Sequence, residues 1–265
     1  MLKLDNFDSF RKPKIMRKSI LLLALAIVIS STISAQRWLD IGFKGAWGPT
    51  WLMNKNLMND QQFNHVLAYG YGIGGKVGFN FNDEHELTLD VMASTFKQDF
   101  KYNVTDTVSG ASPEFKKGMQ FKTLDFILMY RHNKDGRYFE VGPGYSTIRS
   151  ASGTNERPEF ATLDGEISEN LIKGYSILAL GFGGYFVGTE NFGITMGARF
   201  TYGLSDLISE KGKQNNYPAH YPGTTRYTTY TQSHPFTAML VMEANLDFAY
   251  MVKAKCSNKR KILLF

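Results

Sequence analysis

The sequence predicts an all-β chain: an eight-stranded antiparallel up-and-down transmembrane β-barrel with short periplasmic turns and long extracellular loops. Three observations carry this. Large apolar residues alternate with small or polar ones in eight separate segments, as they do where successive side chains point to opposite faces of a strand. The gaps between segments are short and long in strict alternation, the pattern of outer-membrane barrels. The longest apolar run, Ile20–Ile29, has about half the ~20 residues of a membrane-spanning helix, which excludes a polytopic helical protein. With 20% charged and 43% hydrophobic residues, the chain is too apolar for a disordered one. Cys256 is the single cysteine, so disulfide frameworks and cysteine-based zinc or iron–sulfur sites are excluded.

The first segment reads as an export signal. Arg11, Lys12, Lys14, Arg17 and Lys18 precede Ile20–Ile29, and Ser30-Ser-Thr-Ile-Ser-Ala35 follows. A basic region, a short apolar region and a small-residue exit are the parts of a cleaved secretory leader. Cleavage is expected after Ala35, giving residues 1–35 as leader, 36–252 as barrel and 253–265 as a basic periplasmic tail. Met16 opens a leader of ordinary length, which makes residues 1–15 the expected product of an early start codon. Without residues 1–35 the net charge falls from +6 to +2, and residues 36–252 alone carry about −3. The basic character therefore sits at the two ends, and a nucleic-acid surface, which needs a basic face on the folded domain, is not expected.

In chain order, the strands are read as follows. Leu39, Ile41 and Phe43 alternate with Asp40, Gly42 and Lys44. Leu67–Phe81 sets Tyr69, Tyr71, Ile73, Val77 and Phe79 against a face that is mostly glycine. Glycine weakens a strand, so this many imply a cramped barrel interior. Leu87, Leu89, Val91 and Ala93 oppose Thr88, Asp90, Met92 and Ser94; Leu124, Phe126, Leu128 and Tyr130 oppose Thr123, Asp125, Ile127 and Met129. Residues 138–147 set Phe139, Val141 and Tyr145 against Glu140, Gly142 and Ser146. Residues 173–187 are apolar on both faces, and Leu178, Leu180, Phe182 and Phe186 are assigned outward. Phe192–Tyr202 places Thr195 and Arg199 inward, and Phe236–Tyr250 places Glu243, Asn245 and Asp247 inward. Turns are read at 82–85, 133–136 and 188–191, and long loops at about 49–66, 98–117, 150–171 and 205–234.

A barrel of eight strands has an interior that side chains fill, so no open channel is expected. The inward charges Asp40, Lys44, Lys76, Asp90, Asp125, Glu140, Arg199, Glu243 and Asp247 are expected to pair across the lumen, because isolated buried charge is costly. Tyr69, Phe81, Tyr130, Tyr202 and Tyr250 are assigned to the interfacial girdles.

Several stretches resemble PorT-like outer-membrane β-barrel proteins. They are Phe121-Lys-Thr-Leu-Asp-Phe-Ile-Leu-Met-Tyr-Arg131, Tyr138-Phe-Glu-Val-Gly-Pro-Gly-Tyr145, Gly181-Phe-Gly-Gly-Tyr-Phe186 and, most specifically, Ala198-Arg-Phe-Thr-Tyr-Gly-Leu-Ser-Asp206. The resemblance spans roughly residues 36–252. It implies an eight-stranded barrel of Gram-negative bacteria with a cleaved leader. The family's namesake takes part in type IX secretion, while most members have no assigned activity. Ile127 departs from the family, where a proline is common.

The expected role is structural, or binding through the extracellular loops, with no catalysis, no cofactor and no metal. Tyr217, Tyr221, Arg226, Tyr227 and Tyr230 form the candidate recognition surface for a protein or glycan, since tyrosine supplies rigid amphipathic contact area. The acidic loop 154–170 is read as solvated. Expected partners are outer-membrane lipid, lipopolysaccharide and, during biogenesis, the barrel-assembly machinery. Besides a narrow channel, two alternatives stand. One is an accessory component of a type IX-like secretion system. The other is a rim-located lipid-modifying hydrolase built from Ser205 or Ser233 with His220 or His234. The five histidines show no linear metal motif of the His-Glu-x-x-His kind.

Overall fold

The computed structural model describes residues 37–61, 63–103, 113–157, 165–189, 191–218, 227, 229–253 and 260–264; at 37, 248–253 and 260–264 only the backbone is described. The expected leader, Cys256, His220, Tyr221 and Arg226 lie outside these residues.

All eight predicted strands are present. They are β1 (Arg37–Asn54), β3 (Ala68–Asn80), β4 (His85–Asn103), β5 (Glu114–Lys134), β6 (Arg137–Asn155), β8 (Gly174–Gly188), β9 (Phe192–Gly203) and β10 (Ser233–Lys253). Each pairs antiparallel with the next, and β10 returns to pair with β1 from Arg37↔Met251 to Asn54↔Ser233. That last pairing closes the sheet into a barrel and removes its edges. Short strands β2 (Phe63–Val66) and β7 (Gly165–Glu166) pair with β4 and β6. In the basic tail, Arg260–Leu264 forms β11 against the end of β10, so part of that segment continues the sheet.

The three tight turns and the start of β1 lie at one end of the barrel, the turn end; the longer connections lie at the other, the loop end. At the β5–β6 turn, Asp135 and Gly136 adopt φ of 52° and 73° between the paired Lys134 and Arg137. This is the backbone that a two-residue Asp-Gly hairpin supplies without strain.

Among the residues whose side chains are described, the large apolar ones predicted outward face outward. Phe43, Ile73, Phe182 and Phe186 are more than half exposed, and Leu178 and Leu180 resolve the ambiguous strand as assigned. The inward glycines have a steric reason. A Cβ on Gly74 would sit 2.0 Å from the Val91 carbonyl oxygen, and one on Gly78 would sit 2.3 Å from an Asp40 carboxylate oxygen.

The loop-end connections are shorter than expected, because the strands run on. Residues 49–54, 98–103, 114–117 and 150–155 are strand. There the interior is apolar: Phe96, Phe100, Tyr102, Met119 and Phe121 are buried with Leu52, Leu57, Phe63, Leu207 and Ile208. The β8-side and β10-side connections meet over this cluster through a bridge between Leu171 and Ile208. Among the described residues, no helix is long and apolar enough to cross a membrane.

Candidate functional site: a filled lumen

Below the apolar cluster the lumen is ionic. Lys44 on β1 contacts Asp90 at 2.6 Å and Glu243 at 2.9 Å. Lys76 on β3 contacts Glu86 at 2.6 Å, Glu243 at 2.9 Å and Asp40 at 3.3 Å. Arg131 on β5 holds Glu243 with two parallel hydrogen bonds of 2.8 Å and reaches Glu140 at 2.9 Å and Glu86 at 3.6 Å. Arg199 on β9 donates to Glu140 at 2.6 Å and meets Asp90 at 2.8 Å. The pairs join into one network across β1, β3, β4, β5, β6, β9 and β10, and its side chains are at most 7% exposed. The alternation that faces apolar side chains outward on each strand aims these groups at one another.

Two of the most buried members, Glu86 and Arg131, are absent from the sequence-derived list. The apolar-outward alternation begins the third strand at Leu87 and ends the fourth at Tyr130. One further residue of the same alternation puts Glu86 in phase with Thr88 and Asp90, and Arg131 in phase with Ile127 and Met129. Asp125 and Asp247 each line a cavity. Asp125 accepts a hydrogen bond from Ser94 at 2.6 Å and lines a small cavity of ≈60 Å³ between the ionic and apolar layers, together with Ser146 and Tyr175. Asp247 lines a ≈180 Å³ vestibule at the turn end with Asp40, Asn80 and Glu86.

Of the candidate recognition residues, Tyr217 turns inward. It is 7% exposed, within the apolar cluster, with its hydroxyl 3.8 Å from the Met119 sulfur. The Tyr227 hydroxyl donates to Asp60 at 2.6 Å, and that of Tyr230 donates to Asp206 at 2.5 Å. Tyr230 remains 40% exposed. Composition marks tyrosine as suited to a surface but does not separate surface tyrosines from those that cap a dry interior.

Of the hydrolase candidates, Ser205, Ser233 and His234 fall among the described residues. Ser205 Oγ accepts the Ser176 N–H at 3.3 Å and Ser233 Oγ accepts from Asn54 at 2.9 Å. A ring nitrogen of His234 lies 2.9 Å from the Gly203 carbonyl.

Lys117, on the loop-end part of β5, donates to the Pro218 carbonyl at 2.5 Å and lies over the Tyr217 ring at 5.3 Å. Burial lowers its ammonium from the ordinary lysine range to about 8. The unfolded chain, with lysine near ~10.4, then binds more protons than the folded one between about pH 8 and 10.4, so stability rises with pH across that window. Lys117→Met is expected to stabilise the barrel at pH 7 and to flatten the rise; denaturant midpoints at pH 7 and pH 10 for both proteins check this.

Outside, the barrel carries a charge-free belt. On β5 the outward residues between Lys122 and Lys134 are apolar, aromatic or histidine, and on β6 charge returns at Arg137 and Arg149. The intervening span 123–133 matches the about 9–11 residues of a membrane-crossing strand. Trp47 and Tyr69 stack at 5.0 Å toward the loop-end side of the belt, where Tyr202 stacks on His234 at 5.4 Å.

These features define an eight-stranded β-barrel with an ion-paired interior and a lipid-compatible exterior. Among solved structures, the chain is similar to Neisserial surface protein A, with 10% identity, 79% of this chain and 97% of that one covered, and a TM-score of 0.39. It is similar to the outer membrane protein OprG from Pseudomonas aeruginosa (11% identity, 81% and 97% covered, TM-score 0.40). It is also similar to the outer membrane protease OmpT from Escherichia coli (10%, 82% and 99%, TM-score 0.36). The barrel itself rests on its closed ring of strand pairings, not on these likenesses. No protein-family model and no curated protein matches the chain, so the PorT-like resemblance stays one of motifs.

Proposed function

We propose that the chain is an outer-membrane β-barrel of a Gram-negative bacterium, exported through a cleaved leader, sealed rather than conducting, and structural or loop-binding rather than catalytic. The observation that supports this best is the pairing of a charge-free apolar exterior with an ion-paired interior. A water-soluble barrel has the reverse arrangement, since only lipid makes exposed Phe43, Ile73 and Phe182 favourable while polar groups collect inside. On this reading the turn end faces the periplasm and the loop end faces outward. The lumen gives ions no open path: the ionic layer is followed by the apolar cluster and by the connections folded over it. The motifs on β5, β6, β8 and β9 support a kinship with PorT-like barrels, and a protein or glycan at the loop end is the expected partner.

The test is to purify the protein from outer membranes, insert it into planar lipid bilayers, and identify co-purifying proteins. Membrane fractionation without unitary conductance is expected. Discrete channel openings would overturn the sealed reading. Co-purifying secretion subunits, with lost cargo export on gene deletion, would replace the stand-alone role with that of a secretion accessory.

A further inference from the structure

The strand register joins two histidines that no linear motif connects. His85 opens β4 and stands directly opposite His132 on β5. The Asn133 N–H donates to the Glu84 carbonyl at 2.7 Å, which makes His85 and His132 a non-hydrogen-bonded pair, the kind whose side chains lie closest. Their ring centroids are 5.1 Å apart. Glu84, in the preceding turn, brings its Oε2 to 4.0 Å from His85 Nε2. One ligand-capable atom from each of the three lies within 4.8 Å of the other two.

Two further observations point to a ligand. The Tyr130 hydroxyl lies 2.7 Å from His85 Nδ1, which fixes the ring and leaves Nε2 facing Glu84. An outer partner of this kind is what orients a metal-binding histidine. His132 Nδ1 is shielded from solvent and has no hydrogen-bond partner, a state that costs free energy unless something occupies the nitrogen.

We infer that Glu84, His85 and His132 bind a divalent transition-metal ion, of the Zn²⁺ or Cu²⁺ class, on the outer wall of the turn end. Two imidazoles and one carboxylate suit such ions, whereas Ca²⁺ and Mg²⁺ select oxygen-only shells. Ligands of a tetrahedral ion sit about 3.3 Å apart, given ~2.0–2.1 Å bonds. The exposed Glu84 side chain, 60% accessible, is free to close the remaining gap. Three protein ligands leave a fourth position for water or a phosphate oxygen. The site follows from the β4–β5 register and does not depend on which compartment the turn end faces.

The test uses the untagged full chain in detergent, titrated with Zn²⁺ by calorimetry and with Cu²⁺ by electron paramagnetic resonance. One equivalent is expected to bind, with nitrogen hyperfine structure from two imidazoles, and Mg²⁺ is not expected to compete. Tyr130→Phe is expected to weaken binding by about 10-fold, the lower part of the range for losing an outer partner. His132→Ala is expected to cost more than that and to remove one nitrogen from the spectrum, while His65→Ala and His234→Ala leave both readouts unchanged. Heat-modifiable gel migration verifies that each variant is folded; if His132→Ala fails to fold, Glu84→Gln takes its place, with at least about 10-fold weaker binding expected. Zn²⁺ binding unchanged in the folded His132→Ala or Glu84→Gln variant, or no binding by the folded parent protein, would overturn the assignment.

Discussion

Arg131→Ala is expected to lower the folding free energy of the barrel by about 3–5 kcal/mol, the cost of leaving buried charges without their partner. Arg131 is 1% exposed and serves Glu243, Glu140 and Glu86 together. Its removal leaves five buried carboxylates, Asp40, Glu86, Asp90, Glu140 and Glu243, to share three cations, Lys44, Lys76 and Arg199. The control is Lys101→Ala. Lys101 and Glu114 also meet at 2.7 Å, but their side chains are 38% and 50% exposed, and exposed pairs contribute about 0–1 kcal/mol. Urea unfolding in detergent micelles, followed by tryptophan fluorescence, measures both. Equal small effects would mean that water reaches the ionic layer and that the lumen is not sealed. A third variant, Arg131→Met with Glu243→Gln, is expected to recover part of the loss, because it removes a desolvated charge from each side of the contact.

Much of this architecture was legible in the residues, and what was missed has one physical origin. On β4 the outward positions run Leu87, Leu89, Val91, Ala93 and then Lys97, Asp99, Lys101, while the inward ones run Glu86, Thr88, Asp90 and then Phe96, Phe100, Tyr102. Apart from Thr95, which is buried beside Phe96, the side-chain period of two holds. What changes is the polarity it carries: apolar outside and polar inside along the belt, then the reverse above it, where the surroundings become water and the interior dry. A reading keyed to apolar-outward alternation ends each strand at that crossover and so gives the upper parts of β1, β4, β5 and β6 to loops. The same crossover explains Tyr217, which belongs to the dry interior rather than to an outer surface. Glu86 and Arg131 lie at the opposite end, one residue beyond the last apolar outward positions Leu87 and Tyr130. The His85–His132 pair was invisible for a different reason. Register across a hairpin depends on where the turn begins, which spacing along the chain does not specify.

Leu128→Arg separates a lipid-facing wall from a water-facing one. Leu128 lies midway between Lys122 and Lys134 on β5, points outward at 46% exposure, and pairs with Leu89 on β4. In water, arginine at a half-exposed strand position away from special features changes stability by roughly 0.5 kcal/mol or less in either direction. At the middle of a bilayer it costs about 2–4 kcal/mol, because the guanidinium must drag water or headgroups into hydrocarbon. The larger figure is expected here, measured by denaturant unfolding of the barrel folded into phosphatidylcholine vesicles. Depth provides the internal control. Leu87, opposite Tyr130 and close to the turn end, lies where the penalty falls to about 0–1 kcal/mol, so Leu87→Arg is expected to be mild. A loss confined to Leu128→Arg fixes the belt as the membrane-crossing surface and puts the charged outward positions above it, Lys97, Asp99 and Lys101, in water. Equal mild effects at both positions would mean that the apolar wall is not covered by lipid, and the barrel would then need a protein partner around its girth to account for the exposure of Phe43, Ile73 and Phe182.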